Sequence, residues 1–160
     1  MPRNDSPVTI QLANDQLLPQ VVNLINEGHT VTLPLRGYSM RPFLEHERDK
    51  ALLAKPGKVS VGDAVLAEVY AGHYVLHRVV AINGDALTLL GDGNIACEHC
   101  RLCDVRARAI AFYRKGRSVA DSTSGLKWRL YSKLWMGLRP LRRYLLAFYR
   151  RIWLKLFKPI

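Results

Sequence analysis

Apolar positions along the chain change their period three times. Between Leu12 and Ile25 they recur at three- and four-residue steps, which predicts a helix over 15–27 with Gly28 as its stop. Thr30-Val31-Thr32-Leu33-Pro34-Leu35 alternates and reads as a strand. From Ala51 onward short apolar runs at 51–54, 64–70, 74–82, 86–90 and 105–113 are separated by turn signals: Pro56-Gly57, Gly72, Asn83-Gly84-Asp85 and Gly91-Asp92-Gly93-Asn94. Beyond a polar stretch at 117–125 the helical period returns. Leu126, Leu130, Leu134, Leu138, Leu141 and Leu145 step by three or four residues, interrupted by Pro140. The expected architecture is mainly β (a β-rich α+β body), its sheet closed on itself or coiled into a barrel, with an N-terminal helix and a C-terminal helical tail. The expected division is a body over 1–116, a linker over 117–125 and a basic amphipathic tail over 126–160.

Charge sharpens that division. The net charge of +11 comes almost entirely from residues 126–160, which hold ten Lys or Arg and no acid, leaving the preceding residues at +1. A basic stripe alone fits phosphate backbones. Trp128, Tyr131, Trp135, Tyr144, Tyr149 and Trp153 instead favour a membrane interface, with docking on the body or on a partner protein as the other reading. No specific nucleic-acid partner is expected, and the oligomeric state is open. Met1 to Ser6 lacks a basic region followed by an apolar one, so no signal peptide is expected, and no run of 18 apolar residues suggests a membrane span. The expected location is cytoplasmic, peripheral at the inner face of a membrane.

Candidate chemistry gathers at strand ends. Ser39 sits in Arg36-Gly37-Tyr38-Ser39-Met40-Arg41-Pro42-Phe43, after a strand, between a glycine that permits a tight turn and a proline that fixes the exit. A serine hydroxyl is a poor nucleophile until a base takes its proton. His77 can serve as that base near neutral pH, and a carboxylate on the far ring nitrogen would fix the tautomer and stabilise the imidazolium. Asp92 and Glu98 are both candidates for the carboxylate. The charge run Glu45-His46-Glu47-Arg48-Asp49-Lys50 reads as a solvated loop.

Four boxes occur in order: Gly37-x-Ser39-Met40-x-Pro42, Val61-Gly62-Asp63-x-Val65, His77-Arg78-Val79 and Gly91-Asp92-x-Asn94. Together they resemble the signal peptidase I superfamily, which includes the self-cleaving LexA-type repressors. The boxes cover about half the chain. The resemblance implies a coiled β-sheet of the signal peptidase and LexA-type peptidase fold, and a serine endopeptidase that cuts an extended segment of a precursor protein. It implies Ser39 as nucleophile, His77 as general base, Asp92 or Glu98 as the acid partner, and Gly37, Met40 and Pro42 as support for the turn and the oxyanion site. The Ser39 N–H is the first oxyanion donor; Gly37 has no hydroxyl to act as a second. Many bacterial members carry lysine where this chain has His77, and the histidine form is similar to the endoplasmic-reticulum and archaeal branch. Neither the membrane helix typical of signal peptidases nor room for a LexA-type DNA-binding module is expected before the first strand. The alternatives are an inactive peptide-binding module or a membrane-surface adaptor.

No cofactor is expected. Cys97, Cys100 and Cys103 share one short stretch with His99. Their spacing can hold zinc or an iron–sulfur cluster, but no fourth cysteine follows, so reduced thiols and no metal are expected.

Overall fold

A computed structural model describes residues 14–160; the N-terminal leader reading and Leu12 lie outside them. Helix α1 (Asn14–Asn26) ends where expected. Gly28 takes φ +97°, and the N–H groups of Gly28 and His29 return to the carbonyls of Ile25 and Leu24. Val21 and Ile25 turn the apolar face of α1 into the core.

Eight strands follow, all pairing antiparallel: β1 (Val31–Pro34), β2 (Lys50–Ala54), β3 (Ala64–Tyr70), β4 (His73–Asn83), β5 (Ala86–Leu90), β6 (Glu98–Arg101), β7 (Val105–Tyr113) and β8 (Asp121–Ser122). Their order is β1-β2-β7-β3-β4-β5-β6, with β8 added on β7. The molecule is therefore mainly an antiparallel β-sheet with a few helices. The β4–β5 hairpin closes through Gly84-Asp85, with Gly84 at φ +57°. The sheet has two apolar cores. One joins α1, β1, β2 and β7 around Leu53 and Phe112; the other joins β3, β4 and β5 around Val65, Val79 and Leu89.

Two strands were not legible in the apolar pattern. β6 runs through the cysteine stretch with half-exposed side chains, so it carries little alternation. β8 is two residues long and lies inside the segment read as a linker.

Helix α2 (Leu126–Gly137) follows. A short turn around Pro140 leads into α3 (Arg142–Phe148), which continues through a wide turn at Tyr149–Trp153 into a last turn, Leu154–Leu156. These helices pack on the body. Trp128 is buried against Phe43 and Phe112, with ring centroids 5.2 and 4.7 Å away. Arg48 donates to the Ile160 carbonyl at 2.9 Å. The aromatic side chains read as a membrane belt are therefore split: Trp128 and Tyr149 are buried, Tyr131 and Trp135 are half-buried, and Tyr144 is exposed. Among the described residues no helix is long and apolar enough to cross a membrane.

Candidate active site around Ser39

Strand β1 feeds the turn that carries Ser39. Gly37 takes φ +88°, a left-handed conformation that a residue with a Cβ adopts only under strain. Its N–H donates to His46 Nδ1 at 3.0 Å, so it is engaged inside the turn. Met40, Phe43 and Leu44 are buried and anchor the far side of Ser39 in the core. Pro42, half-buried, follows a cis peptide bond. The Ser39 carbonyl accepts the Gly93 N–H at 2.7 Å, which ties the turn to the loop between β5 and β6.

The charge run behind this turn is not a solvated loop. Glu45 and Asp49 are buried. Asp49 accepts N–H bonds from Glu45 and Lys115, both at 2.9 Å, and is gripped by Arg48. Burial works to raise the Asp49 carboxyl, but Arg48 and the two backbone N–H groups hold it below the usual carboxylate range. Glu45 accepts from Arg41 Nε at 2.9 Å. These carboxylates satisfy donors of the serine turn and of Lys115, far away in sequence, which explains why they are buried and not solvated.

His77 and Arg78 are neighbours on β4, so their side chains leave opposite faces of the sheet. His77 faces Ser39. Its Nδ1 is 2.6 Å from Glu98 Oε2. Glu98 begins β6, and the register Leu89↔Glu98 on β5 sets it beside His77. Burial lowers the His77 pKa below its ordinary value, and the nearby Glu98 charge only partly opposes it. The imidazole is therefore neutral at pH 7 with Nε2 open to accept a proton, provided Nδ1 holds its hydrogen toward Glu98.

Arg78 goes the other way and is wholly buried. It grips Asp92 with two bonds, Nε–Oδ1 at 2.8 Å and Nη2–Oδ2 at 2.6 Å. It also donates to the Gly62 carbonyl at 3.0 Å and to Ser132 Oγ. Tyr131 donates to Asp92 Oδ2 at 3.0 Å, and Trp135 Nε1 donates to the Asp92 carbonyl at 3.1 Å. Asp92 thus serves the structure of the loop, while the carboxylate on the His77 ring is that of Glu98. The physical reason is strand alternation: Asp92 is spent on the residue that points away from the cleft.

The two glycines of this loop permit the close approach. A Cβ on Gly91 would lie 2.5 Å from the Ser39 carbonyl, 2.9 Å from Asn94 Nδ2 and 3.0 Å from His77 Nε2. Ser39 O and His77 Nε2 flank one point, so their separation cannot exceed the sum of those two distances. A Cβ on Gly93 would meet the Tyr38 carbonyl at 2.6 Å. Ser39, His77, Asn94 and Glu98 line one cleft of about 280 Å³, with Met40 and Leu44 among its apolar lining. Among the described residues the Ser39 hydroxyl is not hydrogen-bonded to His77, and the Ser39 N–H has no intramolecular acceptor.

Comparison with family models, curated proteins and solved structures returned no match.

Asn94 is one of the cleft residues to which the sequence assigned no role; its position in a Gly-Asp-x-Asn turn was the available signal. The supporting bonds of Tyr131, Trp135 and His46 had no signal in sequence. Cys97 and Cys100 are half-buried and Cys103 is exposed. Burial pushes the Cys100 thiol up to about 11, so it is protonated at neutral pH. Among the described residues no group of three or more His, Cys, Asp or Glu side chains is placed to hold a metal ion.

Proposed function

We propose that the chain is a serine endopeptidase of the signal-peptidase and LexA-type superfamily, cutting an extended segment of a precursor protein. The observation that carries the reading is the convergence of Ser39, His77 and Glu98 on one cleft, with Glu98 bonded to Nδ1 of the His77 ring and Nε2 on the side of the Ser39 turn. Ser39 Oγ attacks the substrate carbonyl carbon and its proton passes to His77 Nε2. Glu98 stabilises the imidazolium. The Ser39 N–H donates to the oxyanion, and the Asn94 side-chain amide is the second donor. His77 then gives its proton to the leaving amine, and water hydrolyses the acyl-enzyme in the reverse sense. Among the described residues β1 is an edge strand, and it leads directly into Leu35 and Gly37 on the cleft wall, so its edge supplies backbone partners for an extended substrate.

A second reading, a peptide-binding module with the same cleft and no chemistry, is favoured by the missing Ser39–His77 hydrogen bond. In apo enzymes such bonds are often long and tighten only with substrate. A proteome-derived peptide library, analysed by mass spectrometry, separates the two. The expected result is a set of cuts sharing residues around the cleaved bond, absent with Ser39→Ala and reduced about 10²–10⁴-fold with His77→Ala. Cuts that persist in Ser39→Ala discard the mechanism. Peptides retained but uncut identify the binding module.

A further inference from the structure

The helices after residue 125 are apolar on two opposite sides, and among the described residues only one side is covered. In α2 the inner side carries Trp128, Ser132 and Trp135, which reach Phe112, Arg78 and Asp92. Leu130 follows Trp128 by two residues, about 200° around the helix at ~3.6 residues per turn. With Leu126 and Leu134 it forms an outer stripe that is 81%, 66% and 62% exposed at positions 126, 130 and 134. The helical path beyond Pro140 repeats the arrangement. Leu146 and Tyr149 are buried, while Leu141, Tyr144, Phe148, Ile152 and Leu156 are exposed. Exposed apolar side chains in such number mark an interaction surface. All ten Lys and Arg of the segment except Arg142 are exposed, the segment holds no Asp or Glu, and of these cations Lys127 is paired with Asp121 just before it.

We propose that this outward side docks the protein on an anionic lipid bilayer. The leucines, Phe148 and Ile152 enter the boundary between headgroups and acyl chains, and the flanking cations, such as Arg129 and Lys133 beside the α2 stripe, meet the lipid phosphates. Charge selects this occupant. A second copy of the chain would press two strongly basic faces together. A nucleic acid would use the cations but leave the leucines uncovered. A bilayer with anionic headgroups takes both. The inference does not rest on the peptidase reading, but it has a consequence for it. Arg150 donates to the Gly93 carbonyl at 2.6 Å, and Tyr131 and Trp135 hold Asp92, so the docking helices are fastened to the loop that underlies Ser39. The cleft would therefore work at the membrane surface.

The test is co-sedimentation of the full-length protein with phosphatidylcholine vesicles, with and without phosphatidylglycerol. Wild type, Ser39→Ala and the double variant Leu130→Glu/Leu134→Glu are compared. Wild type and Ser39→Ala are expected to pellet equally with the anionic vesicles and poorly with the neutral ones, and added salt is expected to weaken the binding. The leucine variant should bind at least about tenfold more weakly while keeping its thermal midpoint, because both leucines are already exposed. If the glutamates unfold the helix, Leu130→Ser/Leu134→Ser replaces them with the same expectation. Wild type left in the supernatant, or a folded leucine variant that pellets as well as wild type, overturns the proposal. A dimer of wild type that the leucine variant dissolves, without vesicle binding, also overturns it and assigns the face to self-association.

Discussion

His77 works in the proposed chemistry only if it is neutral and held in one tautomer, and both conditions trace to its surroundings. Burial lowers its pKa, and the Glu98 carboxylate limits how far. For a histidine whose folded pKa is depressed, the sign is definite. Its contribution to stability is complete above the unfolded value of about 6.5 and is lost as pH falls through the folded value. Gly91 matters at the same scale for a steric reason. Any Cβ there meets the Ser39 carbonyl and His77 Nε2 at once, and backbone cannot give way as a flexible side chain can. Gly91→Ala is expected to cost about 1–3 kcal/mol by overpacking. It should also depress peptide cleavage beyond what that loss of stability explains, since the added methyl pushes the His77 ring away from the backbone of the Ser39 turn. Denaturant melts and cleavage rates below the melting transition measure the two effects separately.

At the scale of elements, legibility followed side-chain pattern. β3, β4, β5 and β7 carry apolar runs bounded by turn residues, and those runs were readable. β6 was not, because Glu98-His99-Cys100-Arg101 holds no apolar alternation; its strand state comes from pairing with β5. That omission concealed why Glu98, and not Asp92, reaches His77, since the answer depends on register and on which face of β4 each neighbour leaves. Asp49 was misread for a similar reason, since Lys115 binds it from beyond the reach of local pattern, while Glu45 is buried by its pairing with Arg41 in the serine turn. The leucine repeat in α2 announced a helix correctly but not its orientation. The core-facing side turned out to be the aromatic one. Trp128 completes the core between Phe43, Phe112 and the Arg78 guanidinium, which lies 4.6 Å from its ring. Trp128→Ala is expected to lower stability by about 3–5 kcal/mol in chemical denaturation. A loss under about 1 kcal/mol would mean that α2 contributes little to the fold.

At the scale of the whole molecule, one buried ion pair joins the sheet, the loop beneath Ser39 and the C-terminal helices. Arg78 and Asp92 are bonded to each other and to Ser132, Tyr131 and Trp135. Removing one member leaves a buried charge unpaired, so Asp92→Ala is expected to destabilise the fold by about 3–5 kcal/mol. Any loss of cleavage in that variant should follow its unfolding. Glu98 is different: it is partly exposed and touches the imidazole. The proposed assignment of roles is therefore tested most directly by the pH profile of kcat/KM for a peptide selected from the library, compared between wild type and Glu98→Gln. Wild type should show an acid limb below about 6.5, set by His77. Because the Glu98 charge raises the His77 pKa, Glu98→Gln should move that limb to lower pH and lower the plateau by about 10²-fold or more, with the fold intact. An acid limb and plateau unchanged in Glu98→Gln would contradict the Ser39–His77–Glu98 unit.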